Sequence, residues 1–165
     1  MVTARRQAKR ATRFLIAAVA SQLCLSQVLF TAQTIQYGRS SLQAGDLVKP
    51  NTEEYKGMVM LIHGGFWKAG FDRTLMIDIA DDLLNRGFCV WNVDYRSVGS
   101  GGGYPETFED VSSALAWLRS QEASDLGVKC GSGGLNVGVV GHSAGGHLAT
   151  WLGVEGCRQA DAETG

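Results

Sequence analysis

An excess of positive charge is the first thing this sequence lacks. Its 15 Lys and Arg are matched by 16 Asp and Glu, for a formal net charge of −1 over 165 residues. Nucleic-acid binding draws on a cationic field that neutralises phosphates. Without such a field, nucleic acid is excluded as a partner. Cysteine is scarce as well. Cys24, Cys89, Cys130 and Cys157 form no Cys-x-x-Cys pair, which excludes zinc-ribbon and dithiol chemistry. No other metal-ligand spacing is present, so neither a metal nor a cofactor is implied. Cys89 lies in an apolar stretch and reads as core. A Cys130–Cys157 disulfide stays open for an oxidising compartment. Histidine is limited to His63, His142 and His147, and no acidic residue precedes Asp46. The sequence has no internal repeats, and its only low-complexity tracts are two glycine-rich stretches.

The acid-free start is also basic. Arg5, Arg6, Lys9, Arg10 and Arg13 lead into the apolar run from Phe14 to Ala20, and apolar residues continue to Ala32. A basic head, an apolar stretch and small-x-small sites, here Ala18-Val19-Ala20 and Cys24-Leu25-Ser26, make the pattern of a secretory signal or signal-anchor. The Arg-rich, acid-free composition, with Arg5, Lys9 and Arg13 spaced four apart, also fits a mitochondrial or plastid presequence. Ser21, Gln22, Ser26 and Gln27 interrupt the run, which argues against a full transmembrane span. Residues 1–32 are therefore expected to be a targeting segment and the sole point of membrane contact. They direct the protein to the secretory pathway or, alternatively, to a mitochondrion or plastid. Residues 33–165, in a chain 45% hydrophobic, have the make-up of an ordinary globular domain.

Within that domain short apolar runs alternate with longer amphipathic ones. Residues 57–62 are apolar throughout and read as a strand buried on both faces. Thr74 to Arg86 reads as a helix: Leu75, Ile79 and Leu83 share one face, Asp78 and Asp82 another, and Gly87 supplies the stop. Residues 88–93 read as the next strand, and Ser97 to Gly103 as a glycine-rich loop. Thr107 to Gln121 reads as a second helix, with Thr107 and Asp110 as a capping-box-like start and Val111, Leu115 and Leu118 along one face. Cys130 to Gly134 is a second loop, Leu135 to Val140 a third strand and Ala144 to Leu152 a third helix. Gln33 to Val48 is expected to hold one or two antiparallel edge strands. Alternation of strand and helix predicts an α/β fold, a mostly parallel sheet with helices on both faces.

Two segments at strand ends carry chemistry. The first is Gly141-His142-Ser143-Ala144-Gly145, between the third strand and third helix. A Gly-x-Ser-x-Gly turn in that setting lifts a serine hydroxyl clear of the sheet, where it can attack a carbonyl. Small residues at Gly141, Ala144 and Gly145 suit a strained, tightly packed turn. The second is His63-Gly64-Gly65-Phe66-Trp67, directly after the first buried strand. A carbonyl under attack becomes an oxyanion and requires preorganised N–H donors. The N–H groups of Ala144 and of Gly65 or Phe66 are the candidates, with Gly64 shaping the loop and His63 fixing it by hydrogen bonding.

These motifs, with Asp94-Tyr95-Arg96, Tyr104-Pro105, Phe108, Asp110 and Trp117-Leu118-Arg119, resemble the α/β-hydrolase superfamily. The sequence is most similar to the hormone-sensitive-lipase-like esterases and to the kynurenine formamidase and feruloyl-esterase-like branch, over roughly residues 35–152. The resemblance implies Ser143 as nucleophile, then an Asp or Glu, then a His, in that chain order. Gly153 to Gly165 contain Glu155, Asp161 and Glu163 but no histidine. Of the histidines present, His142 is expected to point into the structure and His147 to lie in a segment directed away from the site. Asp94 is expected to be a structural partner of the neighbouring loop. Phe66, Trp67 and Tyr104 either line an acyl or aromatic pocket or pack in the core. The expectation is thus the N-terminal half of an α/β-hydrolase domain, truncated after the elbow and its helix. It would be a serine hydrolase of carboxylic esters acting through an acyl-enzyme, here a fragment without its catalytic acid and base. An arylformamidase acting on N-formylkynurenine, and an inactive short form or pairing half, are the alternatives. The substrate partner is a small-molecule ester or formamide.

Overall fold

The computed structural model describes residues 30–51, 55–118, 120, 124 and 137–164, with side chains of the last helix described as far as Gly156. Most of the expected targeting segment, the loop from Cys130 to Gly134 and the Cys130–Cys157 pair lie outside the described residues. No helix among the described residues is long and apolar enough to cross a membrane.

Five strands form one sheet: β1 (Phe30–Gln36), β2 (Ala44–Pro50), β3 (Met58–Ile62), β4 (Cys89–Val93) and β5 (Val137–Gly141). Their spatial order is β1-β2-β4-β3-β5. β3 runs parallel to both β4 and β5, while β1–β2 and β2–β4 pair antiparallel. The edge strands expected in Gln33 to Val48 are thus an antiparallel hairpin flanking three parallel strands. β1 begins earlier than the expected domain boundary at residue 32. Phe30 pairs with Pro50 and Ala32 with Val48, and Phe30 packs beside Val48 against the core. The end of the apolar run thus serves the sheet.

The parallel strands are buried along their whole length, apart from β5 at the sheet's edge among the described residues, where Val140 is 41% exposed. Side chains alternate between the two faces of a strand. Met58, Met60 and Ile62 of β3 therefore point to one side and Val59 and Leu61 to the other. The first set joins Trp91 and Val93 beneath α2 (Glu106–Trp117) and α3 (Ala144–Thr164). The second set joins Val90 beneath a 3₁₀ turn (Arg73–Met76) and α1 (Ile77–Asn85). Helices cover both faces, the α/β arrangement expected. Trp91 anchors the larger core: it is fully buried, stacks on Trp117 at a centroid distance of 4.8 Å and donates from Nε1 to the Ala114 carbonyl at 3.0 Å.

Two local expectations are corrected. The buried stripe of the first helical segment is Met76, Ala80 and Leu84, whereas Leu75 and Ile79 are exposed. The sequence offers two apolar stripes one residue apart, and Arg73 selects between them. Its backbone N–H donates to Asp94 Oδ1 at 2.6 Å and its Nε to Asp46 Oδ2 at 2.7 Å. These bonds fix the rotation of the turn before the helix begins. The second helix begins at Glu106, behind Pro105, with no side-chain cap, and ends at Trp117. Thr107 and Asp110 do not form a capping box. Thr107 Oγ1 donates to the Arg96 carbonyl and accepts from the Gly103 N–H. Asp110, fully buried, accepts from Arg96 N (2.8 Å), Arg96 Nη2 (2.7 Å) and Gln43 Nε2 (2.7 Å). A guanidinium fork is a stronger partner for a buried carboxylate than a helix-end N–H. Both residues therefore tie the glycine-rich loop to the helix. Val111 and Leu118 are buried and Leu115 packs against the same core, as the periodicity predicts.

Candidate active site

The C-terminal ends of β3 and β5 are adjacent, and the two glycine motifs leave the sheet there side by side. The ladder continues one step past β5, with His142 N–H donating to the Ile62 carbonyl at 3.1 Å. Ser143 then takes a left-handed backbone conformation, φ +54°, a region that costs a residue with a side chain on the order of 1–3 kcal/mol. The turn closes at once into α3: Gly145 N–H donates to the His142 carbonyl and Gly146 N–H to the Ser143 carbonyl, each at 2.9 Å. The flanking glycines are a packing requirement. A Cβ on Gly141 would lie 2.0 Å from the Gly145 carbonyl oxygen, and one on Gly145 would lie 2.1 Å from that of Ile62. The result is an exposed Ser143 at the N-terminus of a long helix, with Ala144 buried behind it. First-turn N–H groups of a helix have no intrahelical acceptor and favour negative charge.

The loop after β3 lies against this turn. A Cβ on Gly64 would stand 2.8 Å from the His142 carbonyl oxygen and 3.1 Å from Ser143 Cβ. Gly65 follows at φ +112°, then Phe66 and Trp67 at +57° each. Three successive left-handed residues fold the loop over Phe71, which a Cβ on Gly65 would strike at 2.4 Å. Lys68 N–H donates to the Gly65 carbonyl (3.0 Å) and Val98 N–H to the Trp67 carbonyl (2.7 Å). The loop is thereby tied to the glycine-rich segment that Asp110 and Thr107 hold.

His63 is buried at the root of the loop. Burial pushes its pKa below the usual histidine value, although its bond to the Gly64 carbonyl and the Asp94 charge work the other way. Asp94 has its two oxygens on the backbone N–H and the Nη1 of Arg73. It therefore holds the neighbouring turn, the structural part expected of it. Asp46 shares that guanidinium. Burial opposes its ionisation, but hydrogen bonds from Arg73 and Thr34 outweigh it and lower its pKa.

The other two histidines are not placed as expected. His142 is exposed, its Nδ1 side against Gly64, because the close approach of Gly64 leaves its ring no route inward. His147 is exposed and lines a cleft with Phe66 and Trp67 of the glycine loop, so its segment is not directed away from that loop. Four residues past Ser143 is about one turn on the same helix face, and its ring meets Trp67 edge-on at 5.4 Å and Phe108 at 5.7 Å. Phe66, Trp67, Tyr104, Thr107, Phe108 and His147 are among the residues lining that cleft of about 320 Å³, and His147 stands one helical turn from Ser143. Of the two readings of Phe66, Trp67 and Tyr104, the cleft is the one observed. Phe66 and Tyr104 are 72% and 83% exposed. The helical spacing from Ser143 was the signal for His147. Phe108 stood among the residues that carry the resemblance, but no local pattern signalled that its ring, in the first turn of α2, meets His147.

A left-handed serine between strand and helix, beside a glycine loop from the adjacent parallel strand, defines this as an α/β-hydrolase domain. The chain belongs to the BD-FAE family of α/β-hydrolase esterases, whose family model matches residues 46–164. It is similar in structure to an esterase from the archaeon Pyrobaculum calidifontis, with 27% identity over 79% of this chain and 41% of that one, TM-score 0.64. It is also similar to Esterase B from Lactobacillus rhamnosis, inhibited by a C4-C4 SN3 tributyrin phosphonate: 25% identity, 86% of this chain and 46% of that one, TM-score 0.57. A bacterial heroin esterase, 22% identical over 92% of this chain and 48% of its own, shares the fold at TM-score 0.64. This chain spans less than half the length of each. A search of the curated proteins returns no match.

Proposed function

We propose that this chain carries the nucleophile and oxyanion-binding half of a carboxylic ester hydrolase site. Ser143 Oγ attacks the ester carbonyl. The carbonyl oxygen, now negative, is received by the Ala144 N–H and by the Gly65 or Phe66 N–H, with Gly64 setting the distance between the two segments. Collapse of the tetrahedral intermediate expels the alcohol and leaves an acyl-serine, which water hydrolyses by the reverse steps. A serine hydroxyl requires a base, and we assign that role to none of the three histidines. His63 is buried and committed to the loop, His142 lies beside Gly64, and His147 is held between aromatic rings. The chain covers 41–48% of the structural relatives named above, and the base is sought in the enzyme that includes this chain. The observation that carries the reading is the strained Ser143 turn with Gly64 packed on it.

A fluorophosphonate probe and short-chain 4-nitrophenyl esters test it on the enzyme that includes this chain. The expected result is labelling and turnover, both lost in Ser143→Ala. Turnover that survives Ser143→Ala defeats the proposal. Faster turnover of N-formylkynurenine than of any ester replaces ester by formamide as the substrate.

A further inference from the structure

Folding alone does not explain the cleft. Phe66 and Trp67 both sit in the left-handed region, φ +57° each, which is disfavoured for residues with a side chain. That backbone holds their rings in solvent: Phe66 is 72% exposed, and Tyr104 of the same cleft 83%. Strain and exposed apolar rings both oppose folding, and such features collect at ligand sites.

The shape, charge and position of the cleft narrow the ligand. Its walls meet at steep angles. Tyr104 and Phe108 lie 5.5 Å apart at 72°, and Trp67 and Phe108 meet His147 at 86° and 90°. A flat group lies against one such wall at a time, whereas a rounded group touches several. Aromatic faces carry negative potential and attract cations. No Lys or Arg is among the residues that line the cleft. Glu106 Oε2 stands 4.0 Å from where a Cβ on the lining Gly103 would sit. The guanidinium nearest that carboxylate, Arg96, has its fork on Asp110 and feels Glu106 and Glu109 as well. One positive group thus faces three carboxylates, and this rim is negative. His147 stands one turn of α3 from Ser143, a rise of about 5.4 Å. In an ester whose alcohol carries nitrogen two carbons from the oxygen, the nitrogen lies at a comparable distance from the carbonyl.

We propose that the cleft binds an alkylammonium group, so that the esters cleaved at Ser143 include those of a two-carbon ammonium alcohol. The proposal rests on the ester-hydrolase reading of Ser143. Butyrylcholine and its uncharged isostere 3,3-dimethylbutyl butyrate, assayed on the enzyme that includes this chain, differ only in the charge. The expected ratio of kcat/KM is roughly tenfold in favour of the cation. Tyr104→Phe keeps the ratio. Tyr104→Leu, apolar but without a ring face, lowers it roughly two- to five-fold. Glu106→Gln lowers it roughly two- to three-fold and weakens its dependence on salt. Equal turnover of the two esters, or preference for the isostere or for a phenyl ester, overturns the ammonium site and leaves Ser143 as nucleophile. A Tyr104→Leu enzyme with the parent's ratio overturns the part given to the rings. A titration of the Ser143→Ala enzyme with tetramethylammonium chloride, against sodium chloride at equal ionic strength, reads the site without turnover. A saturable shift of the His147 imidazole resonances with tetramethylammonium alone is expected. No saturation overturns the site whatever the kinetics. Saturation in an enzyme whose parent shows no Ser143-dependent turnover supports the site and overturns the hydrolase reading.

Discussion

Substitution of Gly145 by alanine tests whether the serine turn depends on backbone contact between α3 and β3. An added Cβ would sit 2.1 Å from the Ile62 carbonyl oxygen and 2.6 Å from that of His63. An ordinary contact is well above 3 Å, so helix and strand must separate by about 1 Å. Neither neighbour can give, because both are main chain: Ile62 lies within the sheet, paired on both sides. Overpacking of this kind costs about 1–3 kcal/mol, and two rigid backbones place this case at the upper end. The separation also moves Ser143 relative to the glycine loop, and a displacement of about 1 Å can cost on the order of 10²-fold in rate. Two glycines of the same helix supply an internal scale. A Cβ on Gly153 meets nothing within 4 Å, and one on Gly146 stands 3.2 Å from the Gly141 carbonyl oxygen. Gly153→Ala should stabilise by roughly 0.5–1 kcal/mol through helix propensity. Gly146→Ala should be near neutral. Urea denaturation ranks stability, and fluorophosphonate labelling rate ranks the site. The expected order is Gly153→Ala above parent, Gly146→Ala close to it and Gly145→Ala lowest in both. A Gly145→Ala protein as stable and as reactive as the parent would refute the packing argument.

Three further outcomes follow from the same contacts. Trp91→Ala removes a fully buried ring, its stack on Trp117 and its bond to the Ala114 carbonyl, and should cost about 3–5 kcal/mol, read from the urea midpoint. Arg96→Met leaves the buried Asp110 carboxylate without its fork, a loss of about 3 kcal/mol; Arg96→Met with Asp110→Leu should recover part of it. His63 gives a pH signature. Its folded pKa lies below the unfolded value of 6.5, chiefly through burial and despite the pull of Asp94 and Asp72. The unfolded chain therefore binds the proton first, and this contribution to stability is complete above about pH 6.5 and is lost as pH falls below it. Melting temperature measured from pH 8 to pH 5 should fall less steeply in His63→Asn than in the parent.

Much of the site was legible because its requirements are local. Small residues at Gly141, Ala144 and Gly145 are dictated by a turn that has no room for side chains, so the turn is visible in five letters. The glycine pair after β3 is visible for a related reason, a backbone that must approach another backbone. The helix stripe was misplaced because two apolar stripes in Leu75 to Leu84 are equally periodic. Only the Arg73 bonds to Asp46 and Asp94, residues 27 and 21 positions away, choose between them. Thr107 and Asp110 matched a capping spacing, yet Arg96 reaches across from the loop and takes them. His142 and His147 went astray because orientation depends on what the facing loop occupies.

The sequence by itself determined the order of strands and helices, the serine turn and the glycine loop, since periodicity and steric size act between near neighbours in the chain. Tertiary structure alone decided that β3 and β5 lie side by side, that Gly64 rests on Ser143 and that His147 joins the cleft. Those are pairings across 30 to 80 residues, set by which buried faces and hydrogen-bond partners meet when the sheet closes, and no local pattern records them.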